Sequence, residues 1–212
     1  MEKINKFVNK SVRLKDYDYN LPGACFITIC LKDRKCLFGE VLQGKIMLNN
    51  MGIVAENCWK EIPNHFENVE PGPHIMMPNH MHGIIFILDN SENKKRVVGQ
   101  THAFDSPRRA LDLQSKVSQN NLMHTKLSTV IGSYKSSVTK EINLSINQPD
   151  FKWQTSFHDH IIRNEKEMQN IADYIELNPT NWDEDFENVK YRTRLTDKER
   201  KNLLKKVYES FM

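Results

Sequence analysis

The chain has few of the features that mark a secreted, disulfide-built or membrane-embedded protein. Its four cysteines, Cys25, Cys30, Cys36 and Cys58, include no Cys-x-x-Cys pair, so neither a thiol redox motif nor a cysteine-clamped zinc site is present at that spacing. No N-terminal apolar run resembles a signal peptide, and no apolar stretch reaches the roughly 18 residues that a membrane helix needs. A reduced, cytoplasmic protein with no membrane partner is the expectation from these absences. A strong charge of either sign is also lacking: 30 Lys and Arg against 27 Asp and Glu leave a net +3. So mild an excess does not demand a nucleic-acid partner, but it raises no electrostatic obstacle to one. There is no internal repeat, and 212 residues suit one domain with an ample core.

What is present begins with a strand-like run, CFITICL, rich in β-branched and aromatic residues from Cys25 onward. Two short strands, Cys36 to Leu42 and Lys45 to Leu48, flank Gln43 and Gly44 as a hairpin turn. Asn49 or Asn50 can cap a helix that runs toward Pro63. Pro71, Gly72 and Pro73 punctuate the chain, and the stretch from His74 to Leu88 reads as one bent strand or two, interrupted at Pro78 and Asn79. Apolar residues of both parities after His82 indicate a central strand buried on both faces. Residues 89–124 lack periodicity and are expected to be a long mobile insertion, with Lys94, Lys95, Arg96, Arg108 and Arg109 as solvated charge. Thr125 can cap a helix whose stripe is Leu127, Val130, Ile131, Tyr134, Val138 and Ile142. Residues 151–162 read as strand, and Asn164 with Glu167 starts a further helix that Pro179 should end near Asn178. The acidic run from Asp183 and the final mixed-charge helix read as a peripheral extension over residues 183–212.

The stretch MPNHMHGIIFIL, residues 77–88, carries the chemistry. In a strand, residues i and i+2 share a face, so His80 and His82 present two imidazoles side by side while Met81 points away. Tyr174 and Asn178 lie four apart on a predicted helix and therefore share a face about one turn apart. Pattern alone makes this a candidate metal site with a hydroxyl nearby. His158 and His160 form a second His-x-His with the same periodicity. Trp153 and Phe157 can pack in the core or stack on bases. Lys135 and Arg163 can neutralise phosphate or extend to solvent from a helix face and a strand end.

The His-hydrophobic-His pair followed by Tyr-x-x-x-Asn-Pro resembles the single-tyrosine HUH transposases, specifically the REP-associated tyrosine branch of the insertion-sequence transposases. Three other stretches are similar in the same order: RLKDYDYNLPGACFITICLKDRKCLFGE, IGSYKSSVTKEIN and WQTSFHDHIIRNEKE. The resemblance implies an α/β domain of the ferredoxin-like kind, with a mainly antiparallel sheet and helices packed chiefly on one face. It further implies that His80, His82 and Asn178 hold Mg²⁺ or Mn²⁺, with Mn²⁺ the better match to nitrogen ligands. Tyr174 is then the nucleophile on single-stranded DNA folded into hairpins, and His160 falls where the family has a histidine, in a DNA-contact or supporting role. A non-catalytic single-stranded nucleic-acid-binding module of the same fold is the alternative, and monomer and homodimer both stay open. A histidine-triad nucleotide hydrolase would need another histidine where the chain has Ile84.

Deleting most of residues 92–120 should leave the fold stable, because the segment offers little periodic apolar surface and closure entropy grows only slowly with loop length. If its cationic clusters hold DNA, the deletion should weaken binding most at low salt and flatten the salt dependence. Thermal unfolding checks the first expectation: a deletion variant that melts cooperatively at a much lower temperature would show that the segment packs on the core.

Overall fold

The computed structural model describes residues 22–89 and 127–211. The opening segment, nearly all of the expected insertion, and Thr125 lie outside the described residues. Among the described residues, four strands form one antiparallel sheet: β1 (Gly23–Cys30), β4 (Val69–Met76), β5 (His80–Ile87) and β6 (His158–Ile162), in the order β4-β5-β1-β6. A separate hairpin joins β2 (Gly39–Leu42) to β3 (Lys45–Leu48). Helices α1 (Asn50–Lys60), with a short turn α2 (Ile62–His65), and α3 (Leu127–Ser145) connect β3 to β4 and β5 to β6. After β6 come α4 (Glu165–Leu177), the single turn α5 (Val189–Arg192) and α6 (Asp197–Glu209). Without the hairpin, strand, helix, two strands, helix and strand in this order form the ferredoxin-like α+β arrangement.

Local chemistry accounts for most element ends. Gln43 and Gly44 both take positive φ, 52° and 71°, the left-handed pair that a two-residue hairpin turn requires. Asn49 caps α1, its side-chain oxygen accepting from Met51 N and Gly52 N. Asn164 caps α4 by accepting from Glu167 N at 2.8 Å. The Glu167 carboxylate goes back to Arg163 N rather than to the cap. Two expectations need correction, and one open alternative is settled. Pro71, Gly72 and Pro73 lie inside β4, where the register with β5 shifts between Pro71 and His74; an irregularity on an edge strand tolerates the missing donors. Of the two readings open for His74 to Leu88, the structure has the second: two strands paired with each other and interrupted before His80. Of residues 151–162 only His158–Ile162 is strand, the preceding part touching the sheet edge at a single bridge from Trp153 to Leu31.

The two central strands, β1 and β5, are buried along their whole length, as the doubled apolar parity of β5 implies. On one face Ile27, Ile29, Met81 and Ile85 meet Ala55 and Trp59 of α1 and the full stripe of α3, all six residues of which are buried. Tyr134 of α3 donates its hydroxyl to Ala55 O at 3.2 Å and so ties the two connecting helices together. On the other face Phe26, Ile84, Phe86 and Ile162 meet Met168, Ile171 and Ile175 of α4, and Phe211 from beyond α6 closes over them. The helices therefore divide, with α1 and α3 on one face and α4 on the other, and the second face is where the histidines point.

A Cβ added at Gly83 would lie 2.6 Å from Trp59 Cζ2, whereas one added at Gly132, on the exposed side of α3, meets nothing within 4 Å. Gly83→Ala should lower stability by about 1–3 kcal/mol through overpacking, and Gly132→Ala should raise it by about 0.5–1 kcal/mol through helix propensity. Urea midpoints of the two variants check this, and equal midpoints would contradict the packing of Trp59 on β5.

Candidate active site

Strand β5 sets the site, because side-chain alternation sends Met81 into the first core and His80 and His82 toward α4. Both imidazoles are buried, at 0% and 3% exposure. Their Nε2 atoms face each other at 3.0 Å. The opposite nitrogens are also engaged: His80 Nδ1 lies 2.8 Å from Asn79 Oδ1, and His82 Nδ1 lies 2.9 Å from the hydroxyl of Thr28, its cross-strand partner on β1. Burial pushes the imidazolium pKa down to about 4 at His80 and about 3 at His82, where the neighbouring His80 lowers it further. Neutral rings at physiological pH are metal ligands in waiting.

Helix α4 delivers the next two groups. Its packing through Met168, Ile171 and Ile175 turns Tyr174 along the edge of the apolar stripe, and the tyrosine hydroxyl lies 3.4 Å from His82 Nε2. The Tyr174 ring stands edge-on to Phe211, with centroids 5.3 Å apart, and packs on His82 at 5.2 Å. One turn on, the helix ends with Asn178 as its cap; Asn178 keeps helical φ and ψ of −56° and −42°, and Pro179 stops the ladder because it has no N–H to donate rather than by forcing Asn178 out of helical geometry. Asn178 is buried; its Nδ2 donates to Asp185 Oδ2 at 3.0 Å, and its Oδ1 is buried without a protein partner.

Asp185 is the residue that sequence reasoning missed. The segment read as a peripheral extension brings its carboxylate to the histidines, so that one ligand atom from each of His80, His82 and Asp185 lies within 4.8 Å of the others. The carboxylate is held by Asn178 and by Glu187 N, which donates to Oδ1 at 2.5 Å. Burial raises the Asp185 carboxyl pKa, while His82 and the two hydrogen bonds draw it back. Glu187 in turn takes a 2.5 Å bond from Arg34 Nε, and its backbone carbonyl accepts from Asn79 Nδ2. The extension is thus part of the site, and Phe211 is 1% exposed. In sequence an Asp-x-Glu inside an acidic run looks like solvated charge, and only burial separates the two cases. Two imidazole nitrogens, a carboxylate and an orphaned amide oxygen make a mixed nitrogen and oxygen donor set that fits a divalent cation of the Mn²⁺ or Mg²⁺ kind.

The remaining candidates divide by face. Lys135 and Trp153 lie on the opposite side of the sheet: Lys135 Nζ donates to Gln154 O and Thr155 O at 2.5 and 3.2 Å, and Trp153 packs on Phe38, Phe151 and Tyr134. Core packing is therefore the structural role of Trp153. His160 shares the face of the site but is paired with the buried Glu167 at 2.6 Å. Arg163 is exposed, with its backbone N–H on the same carboxylate. His158 sits across Thr28 from His82 and is only partly buried.

In the metal-free protein the buried histidines make stability depend on pH. An unfolded imidazole titrates near pH 6.5, and the folded values lie near 4 and 3, so on acidification the unfolded chain binds protons that the fold excludes. Their contribution is complete above pH 6.5 and is lost as the pH falls toward the folded values, each histidine adding a slope of up to about 1.4 kcal/mol per pH unit. Asp185, shifted upward, binds its proton in the fold and opposes this at the acid end. With EDTA present, the urea midpoint should fall steadily from pH 7 to pH 5, and a flat midpoint there would show that the rings are not held neutral.

No family model matches the chain. Two similar solved structures are a REP-associated tyrosine transposase bound to a REP hairpin, at 17% identity, TM-score 0.44 and coverage of 80% of this chain and 74% of the other, and a candidate transposase from Deinococcus radiodurans R1, at 11% identity, TM-score 0.40 and coverage of 77% and 95%. In sequence, an uncharacterized protein of Haemophilus influenzae is 35% identical over 176 residues, which span 83% of this chain and 91% of the relative. At that identity and coverage, the chain belongs to one protein family with the Haemophilus influenzae protein.

Proposed function

We propose that the protein cleaves and rejoins single-stranded DNA by metal-dependent transesterification, with Tyr174 as nucleophile and with His80, His82 and Asp185 holding the cation beside the Asn178 amide oxygen. The observation that carries this reading is the Tyr174 hydroxyl 3.4 Å from His82 Nε2, at the corner where the three ligand atoms converge. Transposase chemistry and a hairpin-bearing substrate follow from the His-hydrophobic-His and Tyr-x-x-x-Asn-Pro resemblance.

A tyrosine hydroxyl titrates near pH 10 when unperturbed, so it is a poor nucleophile at neutral pH. Bound Mg²⁺ or Mn²⁺ would polarise the scissile phosphate and favour the phenolate. The protein's own contribution is position: the ring is fixed among Phe26, His82 and Phe211, which leaves the hydroxyl as its polar end toward the site. Attack joins Tyr174 Oη to phosphorus and breaks the bond to the 3′ oxygen, which takes up a proton while the phenolic proton passes to solvent. A 5′-phosphotyrosine and a free 3′-hydroxyl result. Attack by another 3′-hydroxyl reverses the step without ATP, since the covalent intermediate retains the phosphodiester energy.

Incubation with labelled hairpin-bearing single strands and Mg²⁺ or Mn²⁺ should yield a covalent protein-DNA adduct, and no adduct with any such strand would sink the proposal. Tyr174→Phe should abolish the adduct with fold and DNA binding nearly intact, because only the hydroxyl is lost. A Phe variant that forms adduct in normal yield would move the role to another tyrosine such as Tyr134 or Tyr191. In a second comparison, His80→Ala and His82→Ala should each weaken calorimetric Mn²⁺ affinity by more than about 100-fold, beyond the loss of an orienting neighbour, and His158→Ala should change it little. Unchanged affinity in both of the first two variants would overturn the ligand assignment.

A further inference from the structure

We propose that Asn79 and Thr28 set the proton positions on the histidine pair: Asn79 locks His80 as its Nδ1–H tautomer, whereas Thr28 lets His82 exchange its proton from Nε2 to Nδ1 when a cation enters. The second half rests on the cation reading given above; the first does not.

Asn79 is 0% exposed, and its Nδ2 donates to Glu187 O at 2.8 Å and to Arg34 O at 3.3 Å. Both partners are carbonyl oxygens, which accept only, so a flipped amide would set oxygen against two oxygens in a buried place. The amide orientation is therefore fixed, and Oδ1 is the atom that faces His80 Nδ1 at 2.8 Å. An amide oxygen cannot donate, so Nδ1 carries the proton and His80 Nε2 presents a lone pair. The carbonyl direction at Arg34 is itself imposed by an uncommon backbone: Asp33 and Arg34 both take left-handed φ, 57° and 51°. Such conformations persist where their surroundings over-determine them, and the ion pair of Arg34 with the buried Glu187 does so here.

The His80 lone pair points at His82 Nε2, 3.0 Å away. Two lone pairs facing at that distance repel whatever else touches them, and the Tyr174 hydroxyl is the longer contact of His82 Nε2, 3.4 Å against 3.0 Å, so before a cation binds His82 Nε2 holds the proton and donates it to His80. His82 Nδ1 is then an acceptor, and the Thr28 hydroxyl, 2.9 Å away, donates to it. A cation cannot share Nε2 with a proton. For His82 to ligate as a neutral ring, one proton must leave Nε2 for solvent and another must arrive at Nδ1. Thr28 suits both states, because a hydroxyl can turn from donor to acceptor without moving its oxygen. Asn79 and Thr28 are thus positioning residues with different tasks, one holding a proton still and the other accommodating its transfer.

Long-range ¹H–¹⁵N correlation spectra of the native protein labelled at histidine test this directly. Without metal, His80 should appear as the Nδ1–H form and His82 as the Nε2–H form. Saturating Mg²⁺, which is diamagnetic, should convert His82 to Nδ1–H and leave His80 unchanged. A metal-free His80 protonated at Nε2 overturns the Asn79 assignment, and a metal-free His82 already protonated at Nδ1, or one that Mg²⁺ does not convert, overturns the Thr28 assignment. Thr28→Val should weaken Mg²⁺ binding by about 10–100-fold, the range typical for lost orienting partners, and Thr28→Ser should restore it; equal weakening in both overturns the hydroxyl's role. Asn79→Ala should lose the single His80 tautomer, and if that variant fails to fold the native spectra still decide. Because no DNA is present, a failure of strand cleavage would overturn the proposed function while leaving these proton positions to stand or fall on their own.

Discussion

Two neutral imidazoles lie nitrogen to nitrogen on a strand buried along its whole length, and that placement constrains everything around them. An unsatisfied buried polar group costs about 1–3 kcal/mol, so each remaining ring nitrogen needs a partner, and each partner, itself buried, needs another. The chain of obligations runs from His82 to Thr28 on β1, and from His80 through Asn79 to the carbonyls of Arg34 and Glu187. It returns through Asp185 to Asn178 at the end of α4. Segments separated by more than a hundred residues are thereby bound to one pair of rings, and the only open valence among these groups is the Asn178 oxygen.

The charges in this network are arranged for position more than for stability. Burial raises the Glu187 carboxyl, yet the Arg34 charge and hydrogen bond, helped by His80, bring it net below the ordinary carboxylate range. A buried pair of this kind typically returns little beyond its desolvation cost, although removing one partner is strongly destabilising. What it fixes is geometry: the Glu187 backbone reaches Asn79 on one side and Asp185 on the other. The arrangement ensures that a carboxylate and an amide meet the histidines from outside the sheet.

The fold was largely readable because its signals are local. The stripe of α3, the Gln43 and Gly44 turn and the Asn49 and Asn164 caps are each set by a few adjacent residues, and each element formed where they indicated. His80, His82, Tyr174 and Asn178 were also visible, since period two on a strand and a four-residue spacing on a helix predict shared faces. Their mutual approach depends on which face of the sheet α4 covers, and that is a tertiary fact. Asp185 was not readable for a related reason: it lies in no regular element, and its burial comes from a turn that Asn188 and Trp182 close through a 2.8 Å bond. Asn79 looked like a strand interruption, and Trp153 and Lys135 each had two readings, packing or solvent on one side and nucleic-acid contact on the other; only the partners they acquire in three dimensions place Asn79 beside the site and the other two on the far face.

Strand and helix hold the two parts of the proposed site, the tyrosine hydroxyl and the candidate ligands, in different ways. Ligand atoms on a central strand are held by the hydrogen-bond ladders on both sides, so His80 and His82 can shift only if β1 or β4 shifts with them. The proposed nucleophile sits instead on a helix seated on the sheet chiefly by side-chain packing, through Met168, Ile171 and Ile175, with the Glu167 carboxylate near the helix start tied to His160 of β6 and Phe211 wedged against both Phe26 and Tyr174. Packing contacts are individually weak and yield more readily than a ladder of backbone hydrogen bonds. In the proposed reaction a hydroxyl carried on a helix held mainly by packing has more room to adjust to a phosphate than ligand atoms held within the strand ladder. Asn178 and Asp185 join the end of that helix to the histidines, so the freedom is limited to the turn that carries Tyr174.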